Sequence, residues 1–364
     1  MLFYRNSANK KIIGKFTMNT LTFDINIESS YTIPTPAEIH SELPLAPEQA
    51  QKVFSFRETV KNIVTRKDPR ILVITGPCSI DDIDAAQEYA HLLAELSRKV
   101  SDRLFPVMRT YFEKPRTTLG WKGFVYDPLL DNTFNMEKGL RESRKLLLKL
   151  VDLSLPSATE FLDPLIPQYL SDLISWAAIG ARTVESQTHR QLASGLSMPV
   201  GFKNATDGAI SVAVDAILAA RSRHSFLGIS NDGRTGVFST KGNPFCHVVL
   251  RGSSQGGNFG SENVAYAVEL MRKKNLIPSI VVDCSHGNSH KDPLKQKIVA
   301  QDVAEQITNG QKALSGLMLE SYLKTGKQDV AARTKESTGL SVTDGCIGWE
   351  ETSSLILEIY KKLS

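Results

Sequence analysis

Short apolar runs alternate along the chain with longer segments in which apolar residues recur every three or four positions. The short runs are rich in β-branched residues and are typical of buried strands, whereas the longer segments are typical of amphipathic helices. Eight runs predict strands, at residues 70–77, 104–110, 157–162, 178–183, 199–203, 247–252, 279–285 and 316–320.

Helical patterns occupy most of the intervals between these runs. Helices are predicted near 47–66 and at 82–100, 137–152, 167–176, 209–221, 261–274, 296–309 and 350–363. Strand–helix alternation favours an α/β fold built from parallel βα units, and eight such units favour a closed (β/α)8 TIM barrel. A doubly wound open sheet is the alternative.

One segment interrupts this alternation. Residues 224–241 hold two β-like runs around an Asn-Asp-Gly turn at 231–233, which predicts a hairpin inserted between the fifth and sixth barrel strands. We therefore divide the chain into a disordered tail at 1–17, an arm at 18–66 that is rich in Thr, Ser and Pro over residues 18–50, and a barrel at 67–364.

Composition excludes several classes of function. The net charge of +4 lies in residues 1–17, and beyond them 39 basic residues balance 39 acidic ones, so nothing favours a nucleic-acid partner. No apolar run approaches the roughly 18 residues of a membrane span. The four cysteines lie far apart without a CxxC pair, which favours a reducing, cytoplasmic setting.

Charged side chains end nearly every predicted strand, and in a barrel these ends share the face where active sites lie. Five of them are cations, which would be unfavourable together without an anionic ligand. Because Arg and Lys bind carboxylate and phosphate, we predict a small ligand that carries both groups, although any single cation is as well explained by a salt bridge. The five are Arg109, Lys114, Arg182, Lys203 and Arg251.

A second group of strand-end side chains offers one thiol, one imidazole and two carboxylates. This donor set suits Mn²⁺, Fe²⁺, Co²⁺ or Zn²⁺ better than Mg²⁺, which avoids sulfur. Sequence spacing alone is weak support, because no two of the residues are close in the chain. The four are Cys78, His286, Glu320 and Asp344.

The stretch VDCSHGNSHKD, residues 282–292, holds several further candidate ligands. We retain His286 and assign Cys284 to the core. By strand alternation we expect Asp283 to face away from the site. His290 is expected in the following loop, solvated or touching a substrate phosphate.

Several motifs resemble those of the type I 3-deoxy-D-arabino-heptulosonate-7-phosphate (DAHP) synthases, from about residue 45 to the C-terminus. The motifs are GPCSI, MRTYFEKPRTTLGWKG, IGARTVESQTHR, PVGFKN, LRG, VDCSHGNS, LMLES and SVTDGCIGWE. The resemblance implies a (β/α)8 enzyme that condenses phosphoenolpyruvate with erythrose 4-phosphate, using one divalent metal, in the first step of the shikimate pathway.

The resemblance also implies roles for individual residues. Four match the family's metal ligands: Cys78, His286, Glu320 and Asp344. Five match its phosphoenolpyruvate contacts: Arg109, Lys114, Arg182, Lys203 and Arg251. Lys114, Arg116 and Thr117 match the erythrose 4-phosphate contacts, with Asp344 near the aldehyde. Lys114 is our candidate general acid, because crowding by other cations is expected to depress its pKa.

Feedback control by an aromatic amino acid is implied as well, through the N-terminal arm and the hairpin, which would make residues 18–66 a regulatory and oligomerisation arm. Members with glycine in the F-x-G sequence at the start of the hairpin resemble the tyrosine-inhibited type, and this chain has FLGI. Tyrosine is therefore the expected inhibitor, and a homodimer or homotetramer the expected assembly. The pocket residues would be Gln168, Ser197, Phe226 and Gly228.

Other functions remain open on these residues. A metal-dependent aldolase, or the related synthase acting on arabinose 5-phosphate, would share the barrel and the anion pocket. A binding protein on an inactive barrel would bind phosphoenolpyruvate without turnover, although four complete metal ligands argue against it.

Overall fold

Eight parallel strands close into a barrel in a computed structural model that describes residues 22–363. The predicted (β/α)8 barrel is confirmed, and the open-sheet alternative is excluded. The described residues form ten strands, of which β6 and β7 pair with each other outside the barrel. In chain order they are Ile71–Gly76 (β1), Leu104–Arg109 (β2), Ser157–Glu160 (β3), Trp176–Ile179 (β4), Val200–Lys203 (β5), Ser225–Ile229 (β6), Thr235–Ser239 (β7), Cys246–Leu250 (β8), Ile280–Asp283 (β9) and Leu314–Glu320 (β10). Around the barrel, β5 pairs with β8, and β10 returns to pair with β1.

The helices surround this barrel, apart from those that precede β1. They are Pro36–Glu42 (α1), Pro47–Val64 (α2), Ile83–Val100 (α3), Met136–Asp152 (α4), Pro167–Leu170 (α5), Gln187–Gly195 (α6), Ile210–Arg221 (α7), Ser261–Lys273 (α8), Gln296–Thr308 (α9) and Trp349–Lys362 (α10). None of the helices in the described part of the chain is long and apolar enough to span a bilayer.

The region around β4 differs from the prediction. The fourth strand was expected at 178–183, but it begins at Trp176, and the helix expected over 167–176 ends in a 3-10 turn at Ser171–Leu173. The apolar residues run almost continuously here, and such a run does not separate a helix from a buried strand. Helix α6 was not predicted, because its sequence QTHRQLASG has few apolar positions.

The interior of the barrel is filled at its amino end. Val60, Ile63 and Val64 of α2 belong to one buried cluster with inward-facing strand residues such as Ile74 and Trp176. A second buried cluster lies between the strands and the outer helices. Since apolar side chains fill the amino end, the barrel interior leaves room for a polar ligand at the carboxyl ends of the strands.

The predicted hairpin is confirmed as the antiparallel pair β6–β7, in which Phe226 lies opposite Phe238. Its turn contacts the arm, because the backbone N–H of Ala37 in α1 donates to the carbonyl of Asn231 at 2.8 Å. Helix α1 was not predicted. The expected tail at 1–17 lies outside the described residues.

Candidate active site

A cavity of about 530 Å³ opens at the carboxyl ends of the barrel strands. Its wall combines cations with carboxylates and an imidazole, so the two groups of candidate residues meet in one place. The candidates that line it are Arg109, Lys114, Arg116, Arg182, Lys203, Arg251, His286, Glu320 and Asp344.

Arg109, the last residue of β2, is fully buried at the base of this cavity. Its Nη2 donates to the Glu320 Oε1 at 3.2 Å, and its guanidinium lies 3.9 Å from the centre of the Tyr111 ring. Burial alone would lower the pKa of Arg109, but Tyr111 and Glu320 outweigh it and raise the pKa. Gly76 permits this packing, because a Cβ there would lie 2.8 Å from the Arg109 carbonyl.

Lys203, at the end of β5, stands between two buried carboxylates. Its Nζ lies 3.0 Å from the Glu160 Oε2 and 3.5 Å from the Asp283 Oδ2. Burial would raise the pKa of Glu160, but Lys203 outweighs it and keeps the pKa below its ordinary value. Lys203, paired in this way, remains charged, and it can also bind an anionic ligand.

Asp283 faces the barrel interior, so the expectation that it faces away is wrong. Its Oδ2 lies 3.1 Å from the His286 Nδ1. Strand alternation puts Asp283 and His286 on opposite faces, but β9 ends at Asp283 and His286 has a φ of +56°, which lets both side chains reach the same side. Burial would raise the pKa of Asp283, but His286 and Lys203 hold it well below 3.8. Cys284 is buried, as expected, in the layer between strands and helices.

Three of the four candidate metal ligands lie together. The Cys78 Sγ and carboxylate oxygens of Glu320 and Asp344 are all within 4.8 Å of one another. His286 lies beyond that mutual separation, with its Nε2 3.7 Å from the Glu320 Oε1. The spacing and the donor chemistry fit a transition-metal ion, whose bonds to such ligands are about 2.0–2.3 Å long.

The charge state of this cluster supports the same fit. Burial, and then the neighbouring Glu320, raises the pKa of the Cys78 thiol to about 11. The Cys78 thiol therefore keeps its proton even with the Lys114 ammonium 3.0 Å from its Sγ, and binding of a divalent metal ion among these ligands would release that proton.

Lys114 contacts this cluster, with its Nζ 3.0 Å from the Cys78 Sγ. Burial lowers the pKa of Lys114, but Cys78, Glu320 and Asp344 outweigh it, so the pKa is raised. The expectation of a depressed pKa is therefore wrong. The cations nearby in the sequence predict a depressed pKa, but the Lys114 amine contacts the Cys78 thiol, and the carboxylates of Glu320 and Asp344 act on it from nearby.

The segment after β2 carries the remaining substrate candidates. The Arg116 Nε donates to the Trp121 carbonyl at 2.8 Å, and the Thr117 Oγ1 accepts from the Arg182 Nε at 3.1 Å. Arg182 and Thr117 are therefore neighbours, although they come from different loops.

The site also contains residues that sequence reasoning did not assign to it. Tyr111 lies beneath two cations, Asp283 joins Lys203 to His286, and Glu160 pairs with Lys203. Only Glu160 carried a signal, as the charged last residue of β3. The other two depend on contacts between different strands.

A second cavity, of about 520 Å³, lies beneath the β6–β7 hairpin. Its lining also includes the loop after β3 and residues of α5 and α6. All four candidate regulatory residues line it: Gln168, Ser197, Phe226 and Gly228. A Cβ at Gly228 would lie 3.1 Å from the Phe238 ring, so the glycine leaves space that a larger residue would fill.

Comparison with known proteins matches the whole barrel to one family. Residues 42–357 match the DAHP synthetase I family. The chain is 48% identical over 342 residues to the Tyr-sensitive phospho-2-dehydro-3-deoxyheptonate aldolase of Escherichia coli (strain K12), covering 94% of this chain and 96% of that protein. It is 46% identical over 342 residues to the Phe-sensitive enzyme of the same organism, covering 94% and 97%.

A solved structure agrees with this match. The phospho-2-dehydro-3-deoxyheptonate aldolase from Francisella tularensis SCHU S4 superposes with a TM-score of 0.91 at 45% identity, over 93% of this chain and 98% of that one. The identities to the Tyr-sensitive and Phe-sensitive proteins are nearly equal, so overall similarity does not distinguish the inhibitor.

Proposed function

This chain belongs to the DAHP synthetase I family of enzymes, which act in the first step of aromatic biosynthesis, and we propose that it condenses phosphoenolpyruvate with erythrose 4-phosphate at the barrel mouth. The products are DAHP and inorganic phosphate. The proposal rests on one observation. A single cavity of about 530 Å³ is lined by five cations, and it adjoins the cluster formed by the Cys78 thiol and two carboxylates.

The cations hold the two substrates close together. Phosphoenolpyruvate carries a phosphate and a carboxylate, and the set proposed to bind it is Arg109, Lys114, Arg182, Lys203 and Arg251. The segment with Lys114, Arg116 and Thr117 binds the phosphate of erythrose 4-phosphate. Two anions repel each other in water. Fixed cations that offset this repulsion therefore supply much of the rate acceleration, through proximity and electrostatic stabilisation.

Cys78, His286, Glu320 and Asp344 would hold one divalent ion, for which Mn²⁺, Fe²⁺, Co²⁺ and Zn²⁺ are the candidates. When bound, such an ion supplies Lewis-acid polarisation of the aldehyde. Asp344 lies near the aldehyde carbon, and two groups flank the His286 Nδ1 and hold its ring: the Ser285 Oγ at 2.8 Å and the Asp283 Oδ2 at 3.1 Å.

The remaining steps follow from the charges of the residues. The enol carbon of phosphoenolpyruvate bonds to the aldehyde carbon, and Lys114, kept protonated by its acidic neighbours, donates a proton to the new alkoxide. Water adds at C2 of the phosphoenolpyruvate moiety. The C2–O bond to phosphate then breaks, the hydroxyl proton leaves, and a ketone and inorganic phosphate remain.

We further propose that tyrosine binds in the hairpin cavity and inhibits the enzyme. Support comes from the volume of about 520 Å³, from Gly228, and from the contact between the arm and the hairpin turn. Leu227 and Val237 of the hairpin are 75% and 70% exposed, which supports a subunit contact in a homodimer or homotetramer. We place the reaction in the cytoplasm, because all four cysteines are free and buried.

The test is a condensation assay after chelation, with each metal added back singly and tyrosine, phenylalanine or tryptophan added in turn. Joint consumption of phosphoenolpyruvate and erythrose 4-phosphate, with release of phosphate, is expected only after metal is restored. Turnover of arabinose 5-phosphate in preference to erythrose 4-phosphate would reject the proposed substrate.

A further inference from the structure

The loop after β2 and the loop after β3 are joined by a polar cluster, which we call the carboxyl bridge and which consists of the buried Glu113 and the half-buried Tyr126 and Asp163. Glu113 is 2% exposed and accepts the backbone N–H groups of Leu162 at 3.2 Å and Asp163 at 2.8 Å. The Tyr126 hydroxyl lies 3.1 Å from the Glu113 Oε1 and 3.3 Å from the Asp163 Oδ2.

One end of the bridge belongs to the active site. Glu113 directly precedes Lys114, whose backbone N–H donates to the Lys122 carbonyl at 2.9 Å. Arg116 donates to the Trp121 carbonyl. Lys122 and Trp121 lie on the same short segment as Tyr126, so this segment supports the side chains proposed to bind erythrose 4-phosphate.

The other end of the bridge belongs to the hairpin cavity. Asp163 directly precedes Pro164 and Leu165, which line that cavity, and its Oδ1 accepts the Leu165 N–H at 2.8 Å. The Leu162 carbonyl lies 2.7 Å from the Nε2 of His189 in α6, the helix that contributes another wall. A shift of α6 or of the loop after β3 would therefore move Leu162 and Asp163, whose backbone N–H groups bind Glu113.

The bridge contains more acceptors than hydroxyl protons. The Tyr126 hydroxyl has one proton but two carboxyl partners. One additional proton on Glu113 therefore completes a hydrogen-bond chain, in which Glu113 donates to the Tyr126 oxygen and Tyr126 donates to Asp163. Burial raises the pKa of Glu113 to about 8, which agrees with that proton residing on Glu113. Both carboxyl groups are then satisfied, and the two loops are held in one arrangement.

We infer that the carboxyl bridge couples the hairpin cavity to the erythrose 4-phosphate side of the active site, so that filling the cavity weakens binding of that substrate. This inference rests on the proposed function for its substrate, but not on the identity of the inhibitor. The bridge residues are positioning residues, because they act through Lys114 and Arg116 rather than on the substrate.

The test is a double-mutant cycle. Gly228→Phe places a phenyl ring in the hairpin cavity, and Tyr126→Phe removes the hydroxyl that joins the two carboxyl groups. The matched control is Tyr360→Phe, because the Tyr360 hydroxyl also donates to a carboxylate, that of Asp102 at 3.3 Å, but at the opposite end of the barrel. KM for each substrate and kcat are measured for every single and double variant.

Gly228→Phe is expected to raise KM for erythrose 4-phosphate about 5-fold or more in the wild-type and Tyr360→Phe backgrounds. In the Tyr126→Phe background it is expected to change this KM less than about 2-fold. An equal effect in the Tyr126→Phe background, or no effect in the wild-type background, would overturn the inference. Asp163→Asn repeats the cycle if thermal melting shows that Tyr126→Phe does not fold.

Tyrosine binding to the wild-type protein is measured separately by calorimetry. If tyrosine does not bind but the cycle shows coupling, the proposed tyrosine regulation fails and the bridge stands. If tyrosine binds and inhibits but the cycle shows no coupling, the bridge fails and the regulation stands.

Discussion

The Lys114 Nζ lies 3.0 Å from the Cys78 Sγ and 3.2 Å from the Cys78 carbonyl oxygen. The side chain therefore joins the anion-binding wall of the cavity to the candidate metal cluster. An ammonium group held against this thiol, with its pKa raised by the nearby carboxylates of Glu320 and Asp344, is a proton donor at the place where an alkoxide would form. This contact connects the two chemical groups on which the proposed condensation depends.

Removing the thiol tests the metal assignment. Cys78→Ser is expected to lose bound metal and to lower kcat/KM by about 100-fold or more, because it replaces a soft ligand in direct contact with the ion. Metal content by mass spectrometry and thermal melting check the change. Cys246→Ser is the control, since Cys246 lies at the start of β8, away from the cavity. Full activity with Cys78→Ser would contradict the assignment.

Neutralising Asp283 tests a residue that only the structure brings into the site. Asp283→Asn weakens the partner of both Lys203 and His286, so we expect a loss of about 10–100-fold in metal affinity or activity. Metal titration followed by calorimetry gives the affinity. Asp292→Asn, in the loop that follows, should leave both quantities unchanged. An Asp283→Asn protein with wild-type affinity and activity would show that His286 needs no orienting carboxylate.

The glycine of the hairpin tests inhibitor choice. Gly228→Ser places a Cβ about 3.1 Å from the Phe238 ring and reduces the space for a phenol hydroxyl. Inhibition by tyrosine should weaken about 10-fold, while inhibition by phenylalanine strengthens. Gly236→Ser is the matched control on the paired strand, because a Cβ there meets nothing within 4 Å. Unchanged inhibition constants in Gly228→Ser would remove Gly228 from the pocket.

His247 predicts a specific loss of stability in acid. Its Nε2 accepts the indole N–H of Trp176 at 3.0 Å, which requires a neutral ring. Burial lowers the pKa of His247 from 6.5 to about 4. The unfolded chain therefore binds this proton first, and the stability present above pH 6.5 is lost as the pH falls towards 4, by roughly 3 kcal/mol in total.

The measurement is denaturant unfolding of the wild-type and His247→Gln proteins between pH 4 and pH 7. Gln retains an acceptor for the indole but does not titrate, so its stability should fall less over this interval. Parallel curves for the two proteins would show that His247 does not titrate as its burial requires.

Much of the fold was predictable because the signals are local. Alternation of β-branched runs with helical periodicity predicts the barrel, and Asn-Asp-Gly at 231–233 predicts the hairpin. The exceptions are also local in cause: the apolar run into β4 fits two structures, and the polar helix α6 carries too little apolar periodicity. The metal and substrate roles of the strand-end residues remain predictions until variants are measured.

The sequence by itself determined the barrel and the set of charged residues at its carboxyl end, because strand order and chain direction place those ends on one face. Only the tertiary structure decided that Asp283 faces the cavity, that acidic neighbours raise the pKa of Lys114, and that Glu113 reaches the loop after β3. Each of these depends on a backbone turn or on distances between distant segments. Electrostatic interactions depend on those distances, which spacing along a chain does not contain.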